Sequence, residues 1–176
     1  MNMIALNINI FGELRNEDSK GIVQDLMNCN QKHTEYIVTF TIDSTGGSFS
    51  VYRKIKNALA CIPKVKVKTI CIGDAYSTAA LIFTLGDERV MLGEDSRILF
   101  HEVGGNISGQ YSDVKVAFEN MEKDHADCIS AISKVVKSMT PAKIEQKIKR
   151  DWMLSAKEAV ELGVATSIQK DISNTY

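Results

Sequence analysis

No apolar run in the 176 residues reaches the ~20 needed to cross a membrane as a helix. The opening Met1-Asn2-Met3-Ile4 has neither the basic segment nor the long apolar core of a secretory signal. Both absences point to the cytoplasm. Charge of one sign is also lacking: 21 Lys and Arg face 22 Asp and Glu, a net of -1, so bulk electrostatics favour neither nucleic acid nor an anionic membrane as a partner. The alternation Lys64-Val65-Lys66-Val67-Lys68 fits a strand with one solvated face better than a nucleic-acid patch. Four cysteines, Cys29, Cys61, Cys71 and Cys128, form no C-x-x-C pair and meet no histidine cluster. They are expected as buried thiols rather than a metal site or disulfide framework. No metal or other cofactor is called for, and neither an internal repeat nor a low-complexity segment is present. Histidine is scarce, with three in the chain, which shortens any search for a general base.

What the sequence does have is enough apolar residue, 44 %, for one compact core at this length. Residues 3–10 (MIALNINI) alternate like a half-buried strand, residues 18–29 place Ile22, Val23, Leu26 and Met27 at helical spacing, and residues 36–42 are nearly continuous β-branched and aromatic residue. Such a run is what a strand covered on both faces requires. Asp43-Ser44-Thr45-Gly46-Gly47-Ser48 reads as a turn, followed by a helix presenting Phe49, Tyr52, Ile55, Leu59 and Ile62 until Pro63 stops it. Strands follow at 64–72, 89–92 and 97–101, with a helix from Ser77 through Leu85 between the first two. The alternation predicts an α/β core of crossover units with helices outside.

The last third differs. Val114, Ala117, Met121, Cys128, Ile132 and Val135 recur at helical spacing, predicting one helix of ~25 residues over 112–139. A helix that long projects beyond so small a core, and its apolar stripe needs a cover, which self-association supplies. Thr140-Pro141 restarts a helix, Ser155-Ala156-Lys157-Glu158 is a capping box, Gly163 ends that helix before 164–168, and the polar tail beyond Lys170 is expected to fray.

Candidate chemistry centres on Ser77, between the apolar run Thr69-Ile70-Cys71-Ile72 and a small-residue helix. Unpaired N–H groups and the helix dipole there would stabilise an alkoxide or oxyanion, although serine is a favoured N-cap in any helix. Of the histidines, His33 and His125 sit in polar surroundings, whereas His101 ends an apolar strand beside Gly104-Gly105. It could equally be a core histidine bonded to backbone. Gly46-Gly47 could be a plain turn and Asp151 an ion-paired surface carboxylate.

Taken in order, these residues resemble the proteolytic subunit of the Clp protease from about Ile42 to Ile168. Asp43 to Ser48 resembles that family's Asn-Ser-Pro-Gly-Gly turn, and the segment from Thr69 to Ala80 resembles its Thr-Ile-Cys-Ile-Gly-Gln-Ala-Ala-Ser-Met-Gly-Ala. Arg97-Ile98-Leu99-Phe100-His101-Glu102 resembles the strand that carries its histidine, which continues Gln-Pro in the family. Arg150-Asp151-Trp152-Met153-Leu154-Ser155 resembles the Arg-Asp-Arg-Phe-Leu-Ser segment with its aspartate.

The resemblance implies a crotonase-like α/β superfold in a single domain 1–176, with a head of about 1–103 and 140–170 and a long handle helix within about 104–139. It implies a serine endopeptidase acting through an acyl-enzyme, with Ser77 as nucleophile, His101 as base and Asp151 as the group that orients His101. The backbone N–H groups of Gly47 and Thr78 would form the oxyanion hole. Gly46, Ser48, Val103, Gly104 and Gly105 would bind a polypeptide substrate, the last three by pairing with it as a strand. Assembly into stacked rings is implied as well. The short segment ahead of the first strand argues against docking to a Clp-type ATPase and resembles stand-alone head maturation proteases of phages and prophages. The departures are Thr45 for proline, Ala79 for glycine and Val103 for proline. Two other readings stand beside this one: a catalytically silent structural ring subunit, and an acyl-CoA hydratase or isomerase of the same superfold.

Overall fold

The computed structural model describes residues 2–29 and 34–170; His33 and the tail beyond Lys170 lie outside them. Four long units open the chain: strand β1 (Asn2–Leu14), helix α1 (Ser19–Met27), strand β2 (Thr34–Gly47) and helix α2 (Phe49–Ala60). Strand β3 (Val65–Tyr76), helix α3 (Thr78–Phe83) and strands β4 (Glu88–Leu92) and β5 (Arg97–Phe100) follow. The long helix α4 (Tyr111–Val135), helix α5 (Pro141–Ile148), strand β6 (Trp152–Ser155), helix α6 (Ala156–Glu161) and strand β7 (Ser167–Gln169) complete it.

Among the described residues seven strands run β1-β2-β3-β4-β7, with β5 on β3 and β6 on β5. Every pairing is parallel except β5 with β6. Parallel neighbours require crossovers, which α1, α2 and α3 supply. Strand β3 changes partner along its length: Lys68 to Cys71 pairs with β4, whereas Asp74 to Tyr76 pairs with β5. The chain therefore splits the sheet just before Ser77 and leaves the strand ends open as a site.

The core explains the apolar runs. Tyr36, Val38, Phe40 and Ile42 alternate inward from β2 and meet Val51, Ile55, Leu59, Ile82 and Phe83 of the helices. Each such side chain fully buried contributes about 2 kcal/mol. Two strands are longer than their apolar runs suggest. Strand β2 continues through Gly47, because β1 pairs with it beyond a register shift between Phe11 and Glu13; the expected turn at 43–48 is the end of a strand. Strand β3 likewise passes Gly73 to reach Tyr76. Strand β6, which no sequence pattern predicts, is four residues long, and only Trp152 and Leu154 face inward. Three cysteines are buried as expected, whereas Cys61 is exposed just past the end of α2.

Helix α4 has the expected 25 residues, ending four residues before the predicted boundary. Its C-terminal half is anchored by Cys128, Ala131 and Ile132, whereas Tyr111, Val116 and Phe118 near its start are exposed. Thr140 caps α5 by accepting from the Lys143 N–H, and Ser155 and Glu158 form the capping box of α6. No helix among the described residues is long and apolar enough to cross a membrane.

Candidate active site

Strand β3 ends at Tyr76 and α3 begins at Thr78, so Ser77 alone must turn the chain. It does so at φ 55° and ψ -122°, a conformation that costs a residue with a Cβ roughly 1–3 kcal/mol unless its surroundings enforce it. The surroundings do. The Ser77 N–H donates to the Leu99 carbonyl of β5 at 2.8 Å, and its own carbonyl accepts from the Leu81 N–H at 3.2 Å. Beneath the turn lies Gly46, where a Cβ would stand 2.7 Å from that of Ser77 and 2.5 Å from the Tyr76 carbonyl oxygen. Glycine is required there by space and by its φ of +89°.

Gly47, at the end of β2, is pressed against Leu14 of β1. Its carbonyl accepts a hydrogen bond from the Thr78 hydroxyl at 2.8 Å. The side chain of Thr78 thus ties the glycine pair to the first residue of α3, a role beyond that of a backbone donor and one that sequence reasoning missed. The positions of the two expected oxyanion donors are thereby coupled.

His101 follows β5 directly. Its Nδ1 lies 2.6 Å from the carbonyl oxygen of Glu102. A carbonyl can only accept, so Nδ1 donates the hydrogen, and in the neutral imidazole Nε2 is then the nitrogen that can take a proton. Ser77 and His101 line one cleft of about 360 Å³. Among the described residues no hydrogen bond joins them, as is common before substrate tightens such a pair.

The cleft gathers most of the expected residues. Gly47, Ser48, Thr78, Val103 and Gly104 line it with Ser77 and His101, whereas Gly46 lies under the serine turn and Gly105 stands exposed beside Met121. It also contains residues that the sequence does not flag: Phe49, Leu81, Phe100 and Cys128 form an apolar wall. Burial pushes the Cys128 thiol up to about 12, so it stays neutral. A core helix position and a site wall are indistinguishable by periodicity, which is why Cys128 carries no signal of its place here.

Asp151 is elsewhere. It is exposed and lines a second recess, of about 740 Å³, with Lys143, Lys147, Lys149, Arg150 and Trp152. It nevertheless stands just past the same ladder end as the histidine. The antiparallel ladder of β5 and β6 ends with Phe100 facing Trp152, their rings 6.0 Å apart, so the next positions outward are His101 and Asp151. The ladder stops there, where Asp151 takes φ 48°, and the Glu102 carbonyl accepts from Nδ1 in its place.

No group of three or more His, Cys, Asp or Glu among the described residues is arranged to hold a metal. Against known families, the model described as Clp protease matches residues 3–171.

Proposed function

The chain belongs to the Clp protease family, and from that premise we propose that it cleaves peptide bonds through an acyl-enzyme on Ser77. The observation that carries this is the strained Ser77 turn, which shares a cleft with a histidine whose tautomer leaves Nε2 free. In the reaction, Ser77 Oγ attacks the scissile carbonyl carbon and its proton passes to His101 Nε2. The N–H groups of Gly47 and Thr78 stabilise the tetrahedral oxyanion; donors of this kind are each worth roughly 3–4 kcal/mol. Collapse breaks the C–N bond, and Nε2 returns the proton to the leaving amine. Water then repeats the sequence on the ester and frees Ser77.

Asp151 completes the machinery by moving across the end of the β5–β6 ladder to take Nδ1–H from the Glu102 carbonyl. A carboxylate there stabilises the imidazolium, which a neutral carbonyl does less well. Residues 102–109 make no backbone hydrogen bonds to other backbone among the described residues. An extended substrate pairs with that free edge at Val103, Gly104 and Gly105.

Treatment with a fluorophosphonate probe tests the nucleophile. The native protein is labelled and Ser77→Ala is not; labelling that persists in the variant overturns the reading. A chamber built from copies of the chain is the second element of the proposal, motivated by the exposed Tyr111 and Phe118 on α4. Light scattering should give a multiple of the 19.5 kDa chain mass; a monomer rejects the chamber.

A further inference from the structure

The walls of the catalytic cleft are almost free of charge. Phe49, Leu81 and Phe100 are apolar, Cys128 is a neutral thiol, and among the described residues no lysine or arginine lines the space. Arg53, whose guanidinium carbon lies 5.7 Å from the centre of the Phe49 ring, is committed to Asp124 at 2.7 Å. Besides His101 the cleft has one ionisable side chain of consequence: Glu102 is the only carboxylate among its described lining residues. Glu102 is half-buried, and among the described residues its carboxylate has neither an ion pair nor a hydrogen bond; its carbonyl alone is engaged, by His101.

A carboxylate that is partly withdrawn from water and unpaired favours a positive charge brought near it, and a low-dielectric cleft focuses that preference. Resting on the peptidase reading above, we infer that Glu102 makes the cleft select peptides with a lysine or arginine beside the scissile bond and disfavour those with an acidic residue there. The apolar wall accepts the neighbouring side chain, so the preferred substrate pairs one cationic residue with one large apolar one. At a half-exposed site a single charge pair amounts to a preference of about fivefold to tenfold.

Three fluorogenic peptides, identical except for Lys, Gln or Glu next to the cleaved bond, test this. The Lys peptide should exceed the Glu peptide in kcat/KM by about tenfold at low salt. The ratio should shrink at ~1 M salt, where the Debye length is about 3 Å. In Glu102→Gln the ratio should fall toward one, and in Glu102→Lys it should invert. Equal kcat/KM for all three peptides in a native protein whose Ser77 is labelled overturns the selectivity while leaving the peptidase reading intact. A Lys preference that survives in Glu102→Gln also overturns it. Should that variant fail to fold, the salt dependence of the native ratio decides alone. Absence of both labelling and cleavage fails the peptidase reading, and the selectivity falls with it.

Discussion

Two residues other than glycine hold a positive φ among the described residues, Ser77 at 55° and Asp151 at 48°, and their settings are opposite. Ser77 is enclosed: β5 accepts from its N–H, α3 grows from its carbonyl, and Gly46 packs beneath it. Asp151 is open, exposed at the end of a two-strand ladder between Arg150 and Trp152. Strain that packing enforces on all sides fixes an atom in place, as a nucleophile needs. Strain at an exposed ladder end belongs to a residue whose backbone can change at little cost to the core. The two ends of the proposed triad therefore differ in rigidity. Ser77 is preset, and in the proposed mechanism the carboxylate joins it by local rearrangement.

Asp151→Asn breaks this comparison most sharply. If the carboxylate engages His101 during turnover, kcat should fall by about 10³–10⁴-fold, as it does when an orienting aspartate becomes an amide, while the melting temperature hardly moves. A loss below ~10-fold would show that the Glu102 carbonyl suffices as orienter, leaving a serine–histidine pair. Next in size is Gly46→Ala, aimed at the enclosure of Ser77. The new Cβ would overlap the Tyr76 carbonyl and crowd Ser77, at an expected cost of about 2–4 kcal/mol. Thermal melting should show it as a fall of roughly 5–15 °C, together with slower probe labelling. Unchanged melting and labelling would mean that the serine turn is not held from below.

How much of this can be read in the residues varies along the chain. Strand interiors such as 36–42 are legible because burial on both faces demands a continuous apolar run. Their ends are not: Asp43 to Gly47 is turn-like in composition, and it stays in the sheet because β1 offers partners beyond its register shift. Strand β6 is illegible because four residues with two inward side chains carry too little periodicity to be told from a loop. The capping signals at Thr140 and Ser155 are clear, since a cap is satisfied by neighbours three residues away. Burial of the cysteines is legible only in part. Cys61 sits in an apolar stretch and is nonetheless exposed, because it follows the exposed Lys54 and Asn57 by seven and four residues and so continues the outer face of α2.

The sequence by itself determined the alternation of strands and helices, the long helix, and the family, because these rest on residue order and local spacing. It also singled out Ser77 and His101, which the fold brings into one cleft. Only the tertiary structure decided what surrounds them. The splitting of β3 between β4 and β5, the support of Gly46 under Ser77, the Thr78 clamp on Gly47 and the unpaired Glu102 in the cleft all join segments distant in the chain. Asp151 shows the division most plainly: only strand pairing puts it just past the end of the β5–β6 ladder, where it stands exposed at a positive φ. Pairing registers and single dihedrals are settled by the sum of long-range contacts, and no local pattern encodes that sum.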